Sequence, residues 1–108
     1  MNQNLFIIVL KYIGTLKEID ANKEKHLKFL DIHYNNKIFI ASGPQIPRLG
    51  GIIIAKSKTK YYLEKILQND PFAIKNIAEY HIYEFTPTRY TSDFELILKK
   101  VPLRIRDN

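Results

Sequence analysis

Residues 5–10 read LFIIVL, an unbroken apolar run rich in β-branched and aromatic side chains. Successive side chains of a strand point to opposite faces of a sheet, so a run without polar residues predicts a strand buried on both faces. Gly14 and Thr15 end the apolar pattern. The run therefore belongs at the centre of a sheet, and the other elements are expected to pack around it.

The segments after residue 15 alternate between helical and strand patterns. Apolar residues recur at helical spacing from residue 19 to 34, which predicts a first helix with one apolar face. Asp70-Pro71 predicts a short helical turn to about residue 76, because proline is favoured at the first helical position after an aspartate cap. The remaining predicted elements are strands at 38–41, 51–55 and 80–85, and a second helix at 60–68 that begins after Ser57 or Thr59.

This β-α-β-β-α-β order is the split βαβ arrangement of ferredoxin-like domains. We therefore predict an α+β fold with a four-stranded antiparallel sheet and two helices on one face. The first and third strands are the most continuously apolar, so we expect them at the centre of the sheet. The domain is predicted to span residues 1–88. Residues 89–108 then form a C-terminal extension, in which the apolar residues 94–98 pack as a short strand or a helical turn.

The distribution of apolar residues also predicts how the chain assembles. Two helices cover only one face of a four-stranded sheet, yet Ile7 and Val9 point away from the face that carries Phe6, Ile8 and Leu10. Monomers rarely expose an apolar patch larger than roughly a few hundred Å². We therefore predict a homodimer in which the two sheets pack face to face about a two-fold axis.

Composition excludes several classes of protein. The 108 residues contain no cysteine, which rules out disulfides, thiolate zinc sites and a cysteine nucleophile. The N-terminal residues do not resemble a signal peptide, and every apolar run is far shorter than the roughly 20 residues of a membrane helix. A cytoplasmic protein without membrane association is the expectation.

The net charge of +6 raises the question of nucleic-acid binding. The lysines are scattered along the whole chain, and their densest run, KSKTK at residues 56–60, falls at the predicted turn between a strand and a helix. Neither an arginine-rich segment nor an aromatic ribonucleoprotein signature accompanies them. We interpret the run as a solvated face and expect no nucleic acid as a partner.

Two single residues are candidates for chemistry. His26 lies at the edge of the apolar face of the first helix, and imidazole is the side chain best suited to proton transfer near neutral pH. The alternative is a histidine that only packs its ring and bonds to a backbone carbonyl. Asp70 is the second candidate, although an Asp-Pro pair is typical of a helix cap. A capping carboxylate can still offer its second oxygen to a histidine.

A loop rich in glycine and proline, residues 42–51, is a candidate binding element. We expect its terminal glycines to permit positive φ angles and close approach of a ligand. The planar guanidinium of Arg48 is suited to an anionic group, although an exposed arginine in an ordinary loop is the simpler interpretation. No metal site is expected, since His26 and His33 are separated by about 10.5 Å along one helix axis.

Four short motifs resemble one known family when they are taken together. They are HLKFL at residues 26–30, ASGP at 41–44, RLGG at 48–51 and NDPF at 69–72. In this order and spacing, over about residues 5–89, the chain resembles the YciI-like (YCII-related) domain family. The resemblance implies a dimeric α/β barrel, related in architecture to muconolactone isomerases and cofactor-free monooxygenases, and an association with dehydrochlorination of hydroxylated aromatic rings.

The resemblance also implies an active site. The family's histidine–aspartate pair corresponds to His26 and Asp70, which become the expected catalytic residues. The residues expected to contact the substrate beside this pair are Ser42, Gly43, Pro44, Arg48 and Phe72.

The leading hypothesis is an enzyme without cofactor. Asp70 would accept a hydrogen bond from one ring nitrogen of His26, and the other nitrogen would transfer a proton on a small oxygenated cyclic or aromatic substrate. Isomerisation and elimination both fit this chemistry. The first alternative is a dimer that binds a small ligand or a protein partner in the same place without chemistry, and the second is a basic nucleic-acid-binding dimer.

Overall fold

The structure is a computed structural model, and it describes residues 3–99. Its elements follow the predicted order. They are β1 (Asn4–Tyr12), α1 (Leu16–Asn35), β2 (Phe39–Pro44), β3 (Gly50–Ser57), α2 (Lys60–Leu67), α3 (Pro71–Ile74), β4 (Ala78–Phe85), a 3₁₀ turn (Ser92–Phe94) and α4 (Glu95–Leu98).

The four strands form one antiparallel sheet in the order β2-β3-β1-β4. The two most apolar strands, β1 and β3, therefore lie at its centre, and β2 and β4 form the edges. The predicted ferredoxin-like fold is confirmed.

The first helix begins earlier than its apolar pattern indicates. Thr15 caps α1, and its Oγ1 accepts a hydrogen bond from the backbone N–H of Glu18 at 3.1 Å. The Glu18 carboxylate accepts in turn from the backbone N–H of Thr15 at 2.8 Å. This reciprocal capping box satisfies two amides that would otherwise lack a partner, so the helix gains an additional turn before Ile19.

The hydrophobic core lies between one face of the sheet and the helices α1, α2 and α3. Alternation along β1 places its even-numbered residues on this face, and helix residues spaced three or four apart complete it. The core residues of the strands are Phe6, Ile8, Leu10, Phe39, Ile53, Ala55 and Ala78, and those of the helices and the segment after α3 are Ile19, Phe29, Leu30, Leu63, Ile66, Leu67, Phe72 and Ile77.

The opposite face of the sheet is covered at one end by the extension. Lys56 pairs with Leu5 in the β1–β3 register, so both point away from the core. The Lys56 ammonium donates to the backbone carbonyl of Ile97 at 2.7 Å, and Leu98 is fully buried. The described part of the extension is therefore a helical turn, one of the two predicted forms, and it packs on its own sheet.

The expectation that residues 56–60 are a solvated face is wrong at its first two positions. Lys56 is only 7% exposed and Ser57 is also buried, whereas Lys58, Thr59 and Lys60 are exposed. Carbonyl oxygens of the extension replace water around the Lys56 ammonium, and burial lowers its pKa. Among residues 3–99, no helix combines the length and the hydropathy needed to cross a membrane.

Candidate active site

A cavity of about 520 Å³ opens between α1 and the β2–β3 side of the sheet. Its walls are mainly apolar, and this volume and lining are typical of sites for small molecules. The polar side chains at its wall are those of Tyr12, Lys23, His26, Ser42 and Arg48.

His26 and Asp70 come together at this cavity. Nδ1 of His26 lies 2.8 Å from Oδ1 of Asp70, although the two residues are 44 positions apart in the chain. The His26 side chain is 12% exposed and lines the cavity, whereas Asp70 is completely buried. The contact between helix one and the segment before α3 that the catalytic hypothesis requires is therefore present.

Three donors surround the Asp70 carboxylate. Oδ1 accepts from the backbone N–H of Phe72 at 3.0 Å in addition to the contact with His26, and Oδ2 accepts from the Tyr80 hydroxyl at 2.6 Å. The first of these bonds caps α3, so the interpretation of Asp70 as a helix cap is also correct. A buried carboxylate needs such donors, because it has no water to replace them.

The ring of His26 is oriented by stacking as well as by Asp70. Phe72 stacks on it with ring centroids 4.1 Å apart and an interplanar angle of 8°. Both oxygens of Asp70 accept hydrogen bonds from other donors, so the carboxylate is also the acceptor here and Nδ1–H of His26 donates to Oδ1. In the neutral form of the imidazole, the second ring nitrogen, Nε2, then carries the lone pair.

Arg48 lies at the wall of the cavity in an exposed ion pair. Its Nη2 donates to Oδ1 of Asp20 on α1 at 2.5 Å, and its guanidinium lies 5.9 Å from the ring centroid of Tyr12. The hydrogen bond with Arg48 lowers the pKa of Asp20, and the same bond raises the pKa of Arg48. Part of the donor fork that was expected to hold an anion is thus already engaged within the chain.

Ser42, Gly43 and Pro44 line the cavity, but they belong to β2 and not to a loop. Ser42 Oγ lies 2.5 Å from the Tyr34 hydroxyl. Glycine permits positive φ angles, but no described glycine adopts one. A Cβ on Gly50 would lie 1.7 Å from the backbone oxygen of Leu10, so this glycine permits close approach of two strands and not of a ligand.

Three residues at the site were missed by the sequence reasoning: Tyr12, Lys23 and Tyr80. Tyr12 and Tyr80 lie at strand positions that alternate with outward-facing residues. The two-residue alternation of side chains along a strand was therefore the signal that could have placed them on the face of the site. Lys23 precedes His26 by three positions, a spacing that places both on the same side of a helix.

Fold and site together define a class of protein: a ferredoxin-like α+β domain with a histidine–aspartate pair at the wall of a cavity between its first helix and its sheet. The model of the YCII-related domain matches residues 5–86, and the chain belongs to this family.

One solved structure similar to this chain is 5-chloro-2-hydroxyhydroquinone dehydrochlorinase (TftG) from Burkholderia phenoliruptrix AC1100 in complex with 2,5-dihydroxybenzoquinone. The TM-score is 0.66 at 19% sequence identity, with 76% of this chain and 93% of that chain covered. A likeness at this identity supports the fold. No curated protein matches the chain significantly.

Proposed function

We propose that this protein is a small-molecule enzyme that uses His26 and Asp70 for general acid/base proton transfer without a cofactor. The observation that carries the proposal is the 2.8 Å contact between Nδ1 of His26 and a completely buried carboxylate, at the wall of a cavity large enough for a small ring. A histidine held in this way has one nitrogen committed to the protein and one available to a substrate.

The chemistry follows from this division of the two nitrogens. Nε2 removes a proton from a hydroxyl group, or from a carbon next to an oxygen function, so that the O–H or C–H bond breaks and its electron pair stays on the substrate. In an elimination from a chlorinated hydroxylated ring, the imidazolium returns the proton to the carbon that bears chlorine. Chloride then leaves with the C–Cl electron pair as a second hydroxyl proton is lost, and a quinone forms. In an isomerisation, the imidazolium returns the proton at another carbon. Asp70 stabilises the imidazolium between the two steps.

We assign the substrate to small, oxygenated cyclic or aromatic compounds. The cavity walls are mainly apolar, and Lys23 and Arg48 add positive charge where an anionic oxygen of such a ring would be stabilised. The structural likeness to a dehydrochlorinase with a bound dihydroxybenzoquinone supports this class. The residues proposed to contact the substrate are Ser42, Gly43, Pro44, Arg48 and Phe72. The proposed mechanism involves no metal ion.

We further propose that the protein works as a cytoplasmic homodimer. The face of the sheet opposite the core carries Ile7 and Val9 at its centre, together with the exposed side chains of Tyr83 and Phe85. Packing of this face against a second copy would form the dimeric barrel expected from the family.

The test compares the wild-type protein with His26→Gln on 5-chloro-2-hydroxyhydroquinone, measured as chloride release. We expect the rate of the variant to be lower by a factor of about 10²–10⁴, which is the usual contribution of general acid/base catalysis. Binding of 2,5-dihydroxybenzoquinone should remain measurable. Lys28→Gln, at an exposed residue of α1 that does not line the cavity, is the control and should keep full activity.

Two results would contradict the catalytic proposal. Full activity of His26→Gln would remove the imidazole from the mechanism. Tight binding of the quinone by a wild-type protein that turns over neither this substrate nor related hydroxylated rings would favour the alternative, a binding module that uses the same cavity.

A further inference from the structure

The Tyr80 hydroxyl lies in the site, but the proposed chemistry does not use it. Tyr80 is on β4, opposite Leu10 of β1 in the strand register, so its ring points to the face that holds the core and the cavity. Its hydroxyl donates to Oδ2 of Asp70 at 2.6 Å. That oxygen is the one that does not contact His26.

We infer that Tyr80 is a positioning residue of the proposed site: its hydroxyl holds Oδ2 of Asp70 so that Oδ1 remains directed at Nδ1 of His26. The inference rests on the proposed role of His26, and it adds a third residue to a pair that the sequence motifs contain.

The geometry explains why one further donor is needed. The backbone N–H of Phe72 donates a hydrogen bond to Oδ1. This one hydrogen bond leaves the carboxylate free to turn about its Cβ–Cγ axis. With Tyr80 on Oδ2, both oxygens have a fixed donor and the plane of the carboxylate is set. The His26 ring then has a fixed acceptor for Nδ1–H, which determines its tautomer.

The direction of the Tyr80 bond is also determined. Burial and the adjacent negative charge of Asp70 raise the pKa of Tyr80 far above its usual value. The hydroxyl therefore keeps its proton and acts as a donor to the carboxylate. It does not take part as an acid or a base, so the expected role is orientation and not proton transfer.

The position of the ring makes a clean substitution available. The Tyr80 side chain lies between Asp70 and a second cavity of about 440 Å³, lined also by Glu64 and Gln68. In Tyr80→Phe the phenyl ring keeps its packing, and only the hydroxyl is lost. Water from the second cavity would then have access to Oδ2, and the carboxylate would no longer be held in one orientation.

The test measures the His26 ring directly by NMR on protein labelled with ¹⁵N-histidine. In the wild-type protein we expect a single tautomer, protonated at Nδ1, with a slowly exchanging Nδ1 proton. In Tyr80→Phe we expect loss of that slow proton signal and a mixture of tautomers. Tyr62→Phe is the matched control, because Tyr62 is exposed on α2 and lines neither cavity, and it should behave as the wild type.

A Tyr80→Phe spectrum with an unchanged tautomer and an unchanged Nδ1 proton would overturn the inference, whatever the enzyme does. If the wild-type protein turns over a substrate, kcat should fall in Tyr80→Phe while KM stays the same. A rise of KM with unchanged kcat would also contradict the role. A changed His26 spectrum in a protein without turnover would support the inference and count against the catalytic proposal. The two ideas can therefore fail separately.

Discussion

Asp70 combines two roles at the scale of a single residue. The same Oδ1 atom caps α3 through Phe72 and contacts His26, and Oδ2 binds Tyr80. Each bond compensates for part of the cost of burying a charged group. The carboxylate that contacts His26 is thus also the cap at the start of α3. It cannot move without loss of the cap.

His33 provides a pH-dependent term in stability at the same scale. Its ring lies against Phe29 and Phe39, and its Nδ1 is buried without a hydrogen-bond partner among residues 3–99. Burial lowers the pKa of His33 below the value of about 6.5 that it has in an unfolded chain. The unfolded state therefore binds more protons between the two pKa values, and stability rises with pH there.

We expect the contribution of His33 to be fully present above about pH 6.5 and to be lost as the pH falls through that value towards the folded pKa. Urea unfolding of the wild type and of His33→Phe from pH 8 to pH 5 measures it. The wild type should lose more stability than the variant on acidification. Parallel curves would show that His33 has no such role.

Residue chemistry was predicted unevenly from the sequence. His26 and Asp70 were candidates because their residue types suggest proton transfer and capping, and the resemblance to the YCII-related family implied that they act as a pair. Tyr80 has no such signal, since its contact with Asp70 depends on the register between β1 and β4 and on the reach of the phenol. The pairing of Arg48 with Asp20 likewise depends on where the loop after β2 lies against α1.

The ion pair between Arg48 and Asp20 joins two elements, the segment between β2 and β3 and the helix α1. If Arg48 binds an anionic substrate oxygen, Asp20 competes for the same guanidinium. We expect Arg48→Gln to weaken the binding of 2,5-dihydroxybenzoquinone by about tenfold, as for the loss of one charge-assisted hydrogen bond. Asp20→Asn should have the opposite effect and strengthen binding.

Titration calorimetry on the two variants measures these changes, and Arg89→Gln is the control at an exposed arginine outside the core. Exposed ion pairs contribute little to stability, so neither variant should shift the thermal unfolding midpoint. Weaker binding in both variants would mean that the pair organises the cavity and does not compete with the ligand.

The extension shows how far the pattern along an element predicts its packing. Residues 94–98 were expected to pack as a short strand or a helical turn, and the structure selects the turn. The sequence did not indicate which face of the sheet it would cover, because that depends on Lys56 reaching the carbonyl of Ile97. The early start of α1 was available in the sequence as the Thr15–Glu18 capping box.

Leu98 and Leu96 make the packing of α4 testable. Leu98 is fully buried, whereas Leu96 is 72% exposed on the same helical turn. Leu98→Ala should therefore destabilise the protein by about 2–5 kcal/mol, the range for removing a buried leucine side chain. Leu96→Ala should change stability by less than about 0.5 kcal/mol. Equal effects in urea unfolding would show that α4 does not pack on the sheet.

At the scale of the whole molecule, the outer face of the sheet determines the expected assembly. The extension covers the end of this face near Leu5 and Lys56. In the central strands Ile7 pairs with Ile54, and Tyr83 beside them is 60% exposed. A second copy related by a two-fold axis would cover this area with the same residues from both chains.

We therefore expect the wild-type protein to sediment at twice the 12.7 kDa mass of one chain. Ile54→Lys places a charge in the middle of the proposed interface, where it would be buried without a partner, so this variant should sediment as a folded monomer. Ile74→Lys is the matched control, because Ile74 is exposed on α3, and α3 packs on the core face of the sheet. A wild-type protein that sediments as a monomer at micromolar concentration would contradict the proposed dimer. Dissociation of both variants alike would place the interface elsewhere.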